Sequence, residues 1–125
     1  MDSTQIGVYT FINLCPHDVT LTDGQSLKVT FKASGQVARL DSRVERAQWD
    51  IQLTTDLELS LPLQHITDGV VYNLPEPQEN TIYITSYIVA KHVRRADVIS
   101  PLTDSTAIRT EDNKVVGVKG FQRFY

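Results

Sequence analysis

Apolar and polar residues alternate along much of this chain, which is the pattern of half-buried β-strands. Val19 to Phe31 alternates on both sides of Asp23-Gly24, a typical hairpin turn. Farther along, two runs place apolar residues at every second position, and Thr54-Thr55-Asp56 reads as the turn between them. These runs are Ala47, Trp49, Ile51 and Leu53, then Leu57, Leu59, Leu61 and Leu63. Pro62 within the second run predicts an edge strand or a strand end.

One segment departs from alternation and predicts a helix. TIYIT, residues 81 to 85, reads as a buried strand, and SYIVAKHVRRAD follows it directly. Ser86 suits the N-cap position, and Arg94 and Arg95 suit the negative C-terminal end of a helix. We therefore expect one main helix at about residues 86–95.

The pattern as a whole predicts roughly nine short strands and one helix. We expect a β-rich α+β fold, in which an antiparallel sheet or partial barrel of short strands and hairpins packs against that helix. With 125 residues, the chain fits a single domain, residues 1–125.

Composition narrows the kinds of partner and the cellular compartment that we expect. A net charge of −3 disfavours a general nucleic-acid coat, because phosphate binding requires a basic face. One cysteine fits a reducing compartment, and we see neither a secretory signal nor an apolar run long enough to cross a bilayer. We expect a cytoplasmic protein without membrane contact.

The residues that could carry catalysis are sparse. Cys15 and His17 stand two positions apart, while His65 and His92 lie far along the chain, so we predict no metal site and no cofactor. A Cys–His pair at this spacing is too local for a nucleophilic dyad. His17 with Asp97 remains an alternative as a general acid and base that cleaves a phosphodiester.

Anion binding is the better-supported chemistry. Thr85 and Ser86 stand where a strand runs into the helix, and free N–H groups at such a junction form a phosphate or carboxylate seat. Arg39, Arg94 or Arg95 could add charge-assisted hydrogen bonds. Arg94 and Arg95 lie about two turns, roughly 12 Å, from the helix start, so they would reach a ligand more easily across a subunit interface. The alternative is that Ser86 is an ordinary N-cap and the arginines face solvent.

Several short segments resemble a family of small uncharacterised phage and bacterial proteins. The family motifs are NLTPHxV, SGxxAR, GLPEP and YIVSxxVA, and this chain has NLCPHDV (13–19), SGQVAR (34–39), YNLPEP (72–77) and YITSYIVA (83–90). Cys15 replaces the family's usual threonine, and Asn73 replaces its glycine. The resemblance implies a small cytosolic protein, which would act inside the host cell if it is phage-encoded. By analogy with other phage proteins of this size, it also suggests a role in countering host defence.

The leading hypothesis is a non-enzymatic protein that sequesters a small anionic ligand, such as a nucleotide immune signal. A cyclic nucleotide or an ADP-ribose derivative would fit. Its site would use Asn13, His17, Arg39, Thr85 and Ser86, completed by Arg94 or Arg95 of a neighbouring subunit in a homo-oligomer. An enzyme that degrades this nucleotide is one alternative. A protein–protein inhibitor that uses the alternating leucine hairpin or the aromatic C-terminal segment is another.

Overall fold

The computed structural model describes residues 2–125, apart from the side chain of Asp68. It contains eleven strands and one helix over these residues. In chain order they are β1 (Thr4–Ile6), β2 (Tyr9–Asn13), β3 (Val19–Thr22), β4 (Lys28–Phe31), β5 (Arg39–Gln52), β6 (Glu58–Tyr72), β7 (Thr81–Ile84), α1 (Tyr87–Val93), β8 (Val98–Pro101), β9 (Ile108–Arg109), β10 (Val115–Gly117) and β11 (Phe121–Gln122). The expected fold class, β-rich α+β with one helix, is confirmed.

The central sheet has five strands in the order β1-β2-β7-β8-β11. Its outer pairs are antiparallel, as expected, but β2 with β7 and β7 with β8 are parallel. The second parallel pair follows from α1, because a helical crossover returns the chain to the same end of the sheet. The sheet is therefore mixed and open, rather than antiparallel throughout.

One face of this sheet carries the apolar core. Its buried residues include Cys15, Val19, Phe31, Ile84 and Val118. The β3–β4 hairpin supplies Val19 and Phe31, and the ring of Phe31 contacts Phe11 and Phe121 at centroid distances of 5.2 and 5.7 Å. The hairpin predicted around Asp23-Gly24 thus covers the sheet.

The helix is shorter than the predicted span of 86–95. Ser86 caps its start, as expected, and accepts a hydrogen bond from the N–H group of Val89. Arg94 adopts a left-handed conformation with φ of 50°, and this ends the helix after Val93. Val89 and Ala90 are its buried residues, and the helix packs against β8.

The chain divides into two compact units. The first, which we call the body, comprises residues up to Arg39 together with Tyr72–Tyr125 and contains the five-stranded sheet. The second, Leu40–Val71, is the long hairpin made by β5 and β6. These strands have 14 and 15 residues, far longer than the short strands expected. None of the described side chains of the long hairpin is buried, so this unit has no core of its own.

Candidate functional site

The parallel strands of the body end at one edge of the sheet, where most of the predicted ligand-binding residues meet. The N–H group of Leu14 donates to the carbonyl of Ile84 at 2.7 Å, and that of Thr85 donates to Ile99 at 2.9 Å. These bonds align the carboxyl ends of β2, β7 and β8, and so bring Asn13, His17, Thr85 and Ser86 to this edge. A bond from Ala38 to Leu14 places Arg39 near the same edge.

Asn13 is a structural residue at this edge. Its side chain is almost wholly buried, and its Nδ2 donates to the carbonyls of His17 and Phe31, both at 2.9 Å. Its Oδ1 accepts from the N–H group of Cys15 at 2.9 Å. Both N–H donors of the amide are used within the fold. Asn13 therefore holds the segment that turns at Pro16 against the β3–β4 hairpin.

The hydroxyl groups at the helix start are also committed to the backbone. Thr85 is completely buried, and its Oγ1 donates to the carbonyl of Ser86 at 3.0 Å. The Ser86 Oγ accepts the capping bond from Val89 at 3.4 Å. His17 is exposed, and its Nδ1 lies 3.0 Å from the carbonyl oxygen of Asp18. The groups that reach solvent at this edge are therefore His17, Arg39 and Ser86.

The remaining predicted residues lie at the other end of the parallel strands. Arg95 forms a bidentate ion pair with Asp97, at 2.9 Å from Nε and 2.6 Å from Nη2, and its Nη1 donates to the carbonyl of Pro75 at 3.1 Å. These hydrogen bonds with Asp97 raise the pKa of Arg95 above its ordinary value. Because Asp97 precedes β8 and His17 follows β2, the two are separated by a strand length, roughly 13 Å. The structure does not bring them together as an acid–base pair.

The motifs that carry the family resemblance hold one another in place. Asn73 has φ of 63°, in the left-handed region that glycine and asparagine tolerate. Its Nδ2 donates to the carbonyl of Val37, and its own carbonyl accepts from Gln36. The Tyr83 hydroxyl donates to the carbonyl of Glu76. These motif residues therefore join separate segments of the body.

Cys15 is not placed for covalent chemistry. Its side chain is buried, and burial raises the pKa of the thiol from 9.0 to about 11. A thiol with this pKa stays protonated at neutral pH, and the thiolate is the reactive form. Cys15 instead packs in the core with Val19 and Phe31.

The long hairpin presents a different candidate site. The hydroxyl of Ser60 donates to Asp50 at 2.7 Å, and the Gln48 amide donates to both, so these polar residues share one face of the hairpin. These bonds lower the pKa of the Asp50 carboxyl, and the amide of Gln48 contributes most. Since side chains alternate between faces, the apolar residues at odd-numbered positions lie on the opposite face.

We call this opposite surface the apolar hairpin face. Trp49 is 56% exposed, Leu53 and Leu57 are each 55% exposed, and Leu59 is 45% exposed. The face contains eight apolar residues and no charged one: Ala47, Trp49, Ile51, Leu53, Leu57, Leu59, Leu61 and Leu63. Contiguous apolar surfaces of this kind are often interaction sites, so this face is a candidate contact surface.

Toward the end of the hairpin that is farther from its turn, the apolar residues lie on the other face. Val44, Ile66 and Val70 are 55%, 67% and 60% exposed, and they stand at even-numbered positions, as Asp50 and Ser60 do. We call these three residues the even-position patch. A depression of about 520 Å³ on the hairpin is lined by Arg46, Ala47, Gln48, Pro62, Leu63 and Gln64.

Sequence reasoning found the alternating leucines but ranked them behind the strand-end residues, and it missed the even-position patch. The signal was present in the positions themselves. Apolar residues change from even to odd numbers between Val44 and Ala47, and back to even numbers between Leu63 and Ile66. One continuous core cannot cover a hairpin whose apolar side changes in this way.

Comparisons with known proteins found no matching family model, no matching curated protein and no matching solved structure. The resemblance to phage and bacterial proteins therefore stays a prediction. Within residues 2–125, no helix combines the length and hydropathy needed to span a membrane. Over the same described residues, no three His, Cys, Asp or Glu side chains gather in an arrangement that could hold a metal ion.

Proposed function

We propose that this protein is a non-enzymatic binding protein that acts by protein–protein contact, with the apolar hairpin face as its contact surface. The observation that carries this proposal is the exposure of an uncharged apolar face on a two-stranded hairpin. An isolated two-stranded hairpin is marginally stable in water, and a packing layer over its apolar side is what stabilises it. A partner that covers this face would supply that layer.

The chemistry of the body supports binding rather than turnover. The Cys15 thiol is buried and protonated, and His17 and Asp97 stand at opposite ends of the parallel strands. The hydroxyl of Thr85 and the amide of Asn13 are engaged with backbone groups. None of these groups is arranged as a nucleophile with its base.

The second candidate function is the capture of a small anion at the strand-end edge of the body. The observation that favours it is the convergence of three parallel carboxyl ends, the usual position of ligands in open sheets with parallel strands. His17, Arg39 and Ser86 would face such a ligand, and Arg94 of a neighbouring subunit could complete the site. A cyclic nucleotide or an ADP-ribose derivative would suit it, and sequestration of an immune signal would be the corresponding role.

Site-specific photo-crosslinking in the producing cell tests the protein-contact proposal. A photo-reactive residue at Leu59, on the apolar hairpin face, should yield a discrete adduct. The matched control is the same residue at Gln52, on the polar face of the same strand pair, which should yield none. No adduct from Leu59 would contradict the proposal.

Calorimetry separates the two candidates. Wild-type protein would be titrated with cyclic nucleotides and ADP-ribose, beside an Arg39→Ala variant. We expect no binding that depends on Arg39. Saturable binding that Arg39→Ala abolishes, together with a Leu59 probe that forms no adduct, would favour the anion-binding function instead.

A further inference from the structure

We propose that the apolar hairpin face is covered by the same face of a second copy, so that two long hairpins pack face to face in a symmetric dimer. This inference rests on the proposed function, since it names the protein partner of the same surface. A symmetric dimer contact uses one patch on both subunits, so that patch must be complementary to itself.

The charge distribution meets this requirement. None of the eight residues of the apolar hairpin face is charged, and the acidic residues on the same side of β5, Asp41 and Glu45, lie beyond its end at Ala47. Asp50 and Glu58 stand at even-numbered positions, on the opposite face, and would point outward from the dimer. Two stacked sheets lie about 10 Å apart, so these carboxylates would be separated by more than a Debye length at physiological salt.

The area of the face is of the size a dimer needs. From their exposed fractions, its tryptophan and its five leucines present on the order of 600 Å² per copy, against about 800 Å² per partner in a standard interface. It also matches the upper end of about 300–600 Å² given for the largest apolar patch on a monomer. Ala47 and Ile51, which are partly exposed, add to it.

Pairing of two copies along the free edge of β6 is disfavoured. Both strands of this two-stranded sheet have a free edge, and in β6 Pro62, the fifth of its fifteen residues, has no N–H group to donate to a further strand. A continuous hydrogen-bonded ladder along the free edge of β6 is therefore interrupted. Face-to-face packing needs no backbone donor and buries the apolar side chains directly.

The salt dependence of this dimer should be diagnostic. The long hairpin has two basic residues, Arg43 and Arg46, and six acidic ones, so its net charge is about −4 by sequence count. The acidic residues are Asp41, Glu45, Asp50, Asp56, Glu58 and Asp68. Two such hairpins repel each other, and salt screens that repulsion, so added salt should strengthen their association. A partner held by charge would show the opposite dependence.

Sedimentation equilibrium of the full-length protein tests the inference. We expect a reversible monomer–dimer equilibrium between masses of 14.1 kDa and about twice that value, tighter at 500 mM than at 50 mM salt. Trp49→Thr with Leu61→Thr should weaken the dimer at least about 100-fold, because threonine keeps strand propensity but removes apolar area at the centre of the face. Val44→Thr with Ile66→Thr, the matched control in the even-position patch, should change it less than about 3-fold.

Hydrogen exchange on the unmodified protein provides a readout independent of any variant. Amides of β5 and β6 should gain protection as concentration rises through the dimer midpoint, while those of β7 stay constant. A monomer at every concentration and salt, equal weakening by the control pair, or unchanged β5 and β6 protection would each overturn the inference. A monomer whose Leu59 probe captures a different protein would overturn the second-copy inference alone, whereas a monomer with no adduct would overturn the proposed function as well.

Discussion

The body and the long hairpin share the same alternating pattern of apolar and polar residues, yet apolar side chains are buried in the body and exposed in the hairpin. In the body, Leu14, Tyr83 and Ile84 are completely buried, and Ile84 packs with Val19 and Phe31 of the β3–β4 hairpin. In the long hairpin, Trp49 is 56% exposed. The contrast shows that alternation predicts a strand, whereas burial depends on whether a second layer exists to cover it.

The two units also differ in what stabilises them. Polar side chains of the body, such as Asn13 and Arg95, bind backbone carbonyls of distant segments and tie the sheet to its loops. In the long hairpin, the side-chain bonds described stay within the two strands and their turn: Ser60 bonds Asp50 across the strands, and Gln48 bonds Asp50 along one strand. The body should therefore unfold as a cooperative unit with its own free energy, largely independent of the hairpin.

The largest expected effect is a loss of stability in the body alone, which would distinguish the body from the long hairpin. Asn13→Ala leaves the carbonyls of His17 and Phe31 and the N–H group of Cys15 without their partner. Since each buried unsatisfied group costs about 1–3 kcal/mol, we expect a loss of about 3–5 kcal/mol in the free energy of unfolding, measured by urea denaturation. Gln25→Ala, at an exposed turn position, is the control and should stay within about 0.5 kcal/mol. A loss below about 1 kcal/mol for Asn13→Ala would mean that the amide does not hold the body together.

A smaller effect should appear at alkaline pH. Because the Cys15 thiol has a pKa of about 11 when folded and 9.0 as its ordinary value, its burial contributes stability below pH 9 that is lost as pH rises toward 11. The loss should reach about 2–3 kcal/mol, at about 1.4 kcal/mol per pKa unit. The unfolding free energies of wild type and Cys15→Ala, measured from pH 8 to 11, should converge by that amount. Parallel curves would show that the thiol is not held in an apolar environment.

The smallest expected effect tests whether the body depends on the hairpin at all. Thr67 donates to the carbonyl of Arg43, and Asp41 lies against Gly69, so the two strands are adjacent near their ends. Replacing residues 43–67 with Asn-Gly, a two-residue hairpin turn, should change the unfolding free energy of the body by less than about 1 kcal/mol. Circular dichroism and urea denaturation would measure it. A shortened chain that does not fold would show that the two units stabilise each other.

Local features of the fold were predictable from the sequence. The turn at Asp23-Gly24 and the N-cap at Ser86 depend on a few neighbouring residues, and Gly24 indeed has φ of 82°. The parallel pairing of β2 with β7 was not predictable, because it joins segments whose partners no local pattern specifies. Among the candidate residues, Asn13 and Thr85 meet at one edge because of that pairing. Their side chains bond to backbone groups because both are buried, and the sequence alone does not show which residues are buried.

The parallel pairing of β2 with β7 also bears on how quickly the chain can fold. Asn13 pairs with Ile84, about 70 positions later, so the sheet has a high contact order. The entropy cost of closing this long loop comes before the pairing contributes any stability. The long hairpin lies inside that loop and closes on local contacts, which form on a microsecond timescale. Its formation brings residues 41 and 69 together and shortens the segment left to order by about 40%, which lowers the closure cost by about 0.4 kcal/mol. If the hairpin forms before β2 and β7 pair, we therefore expect faster closure of the sheet.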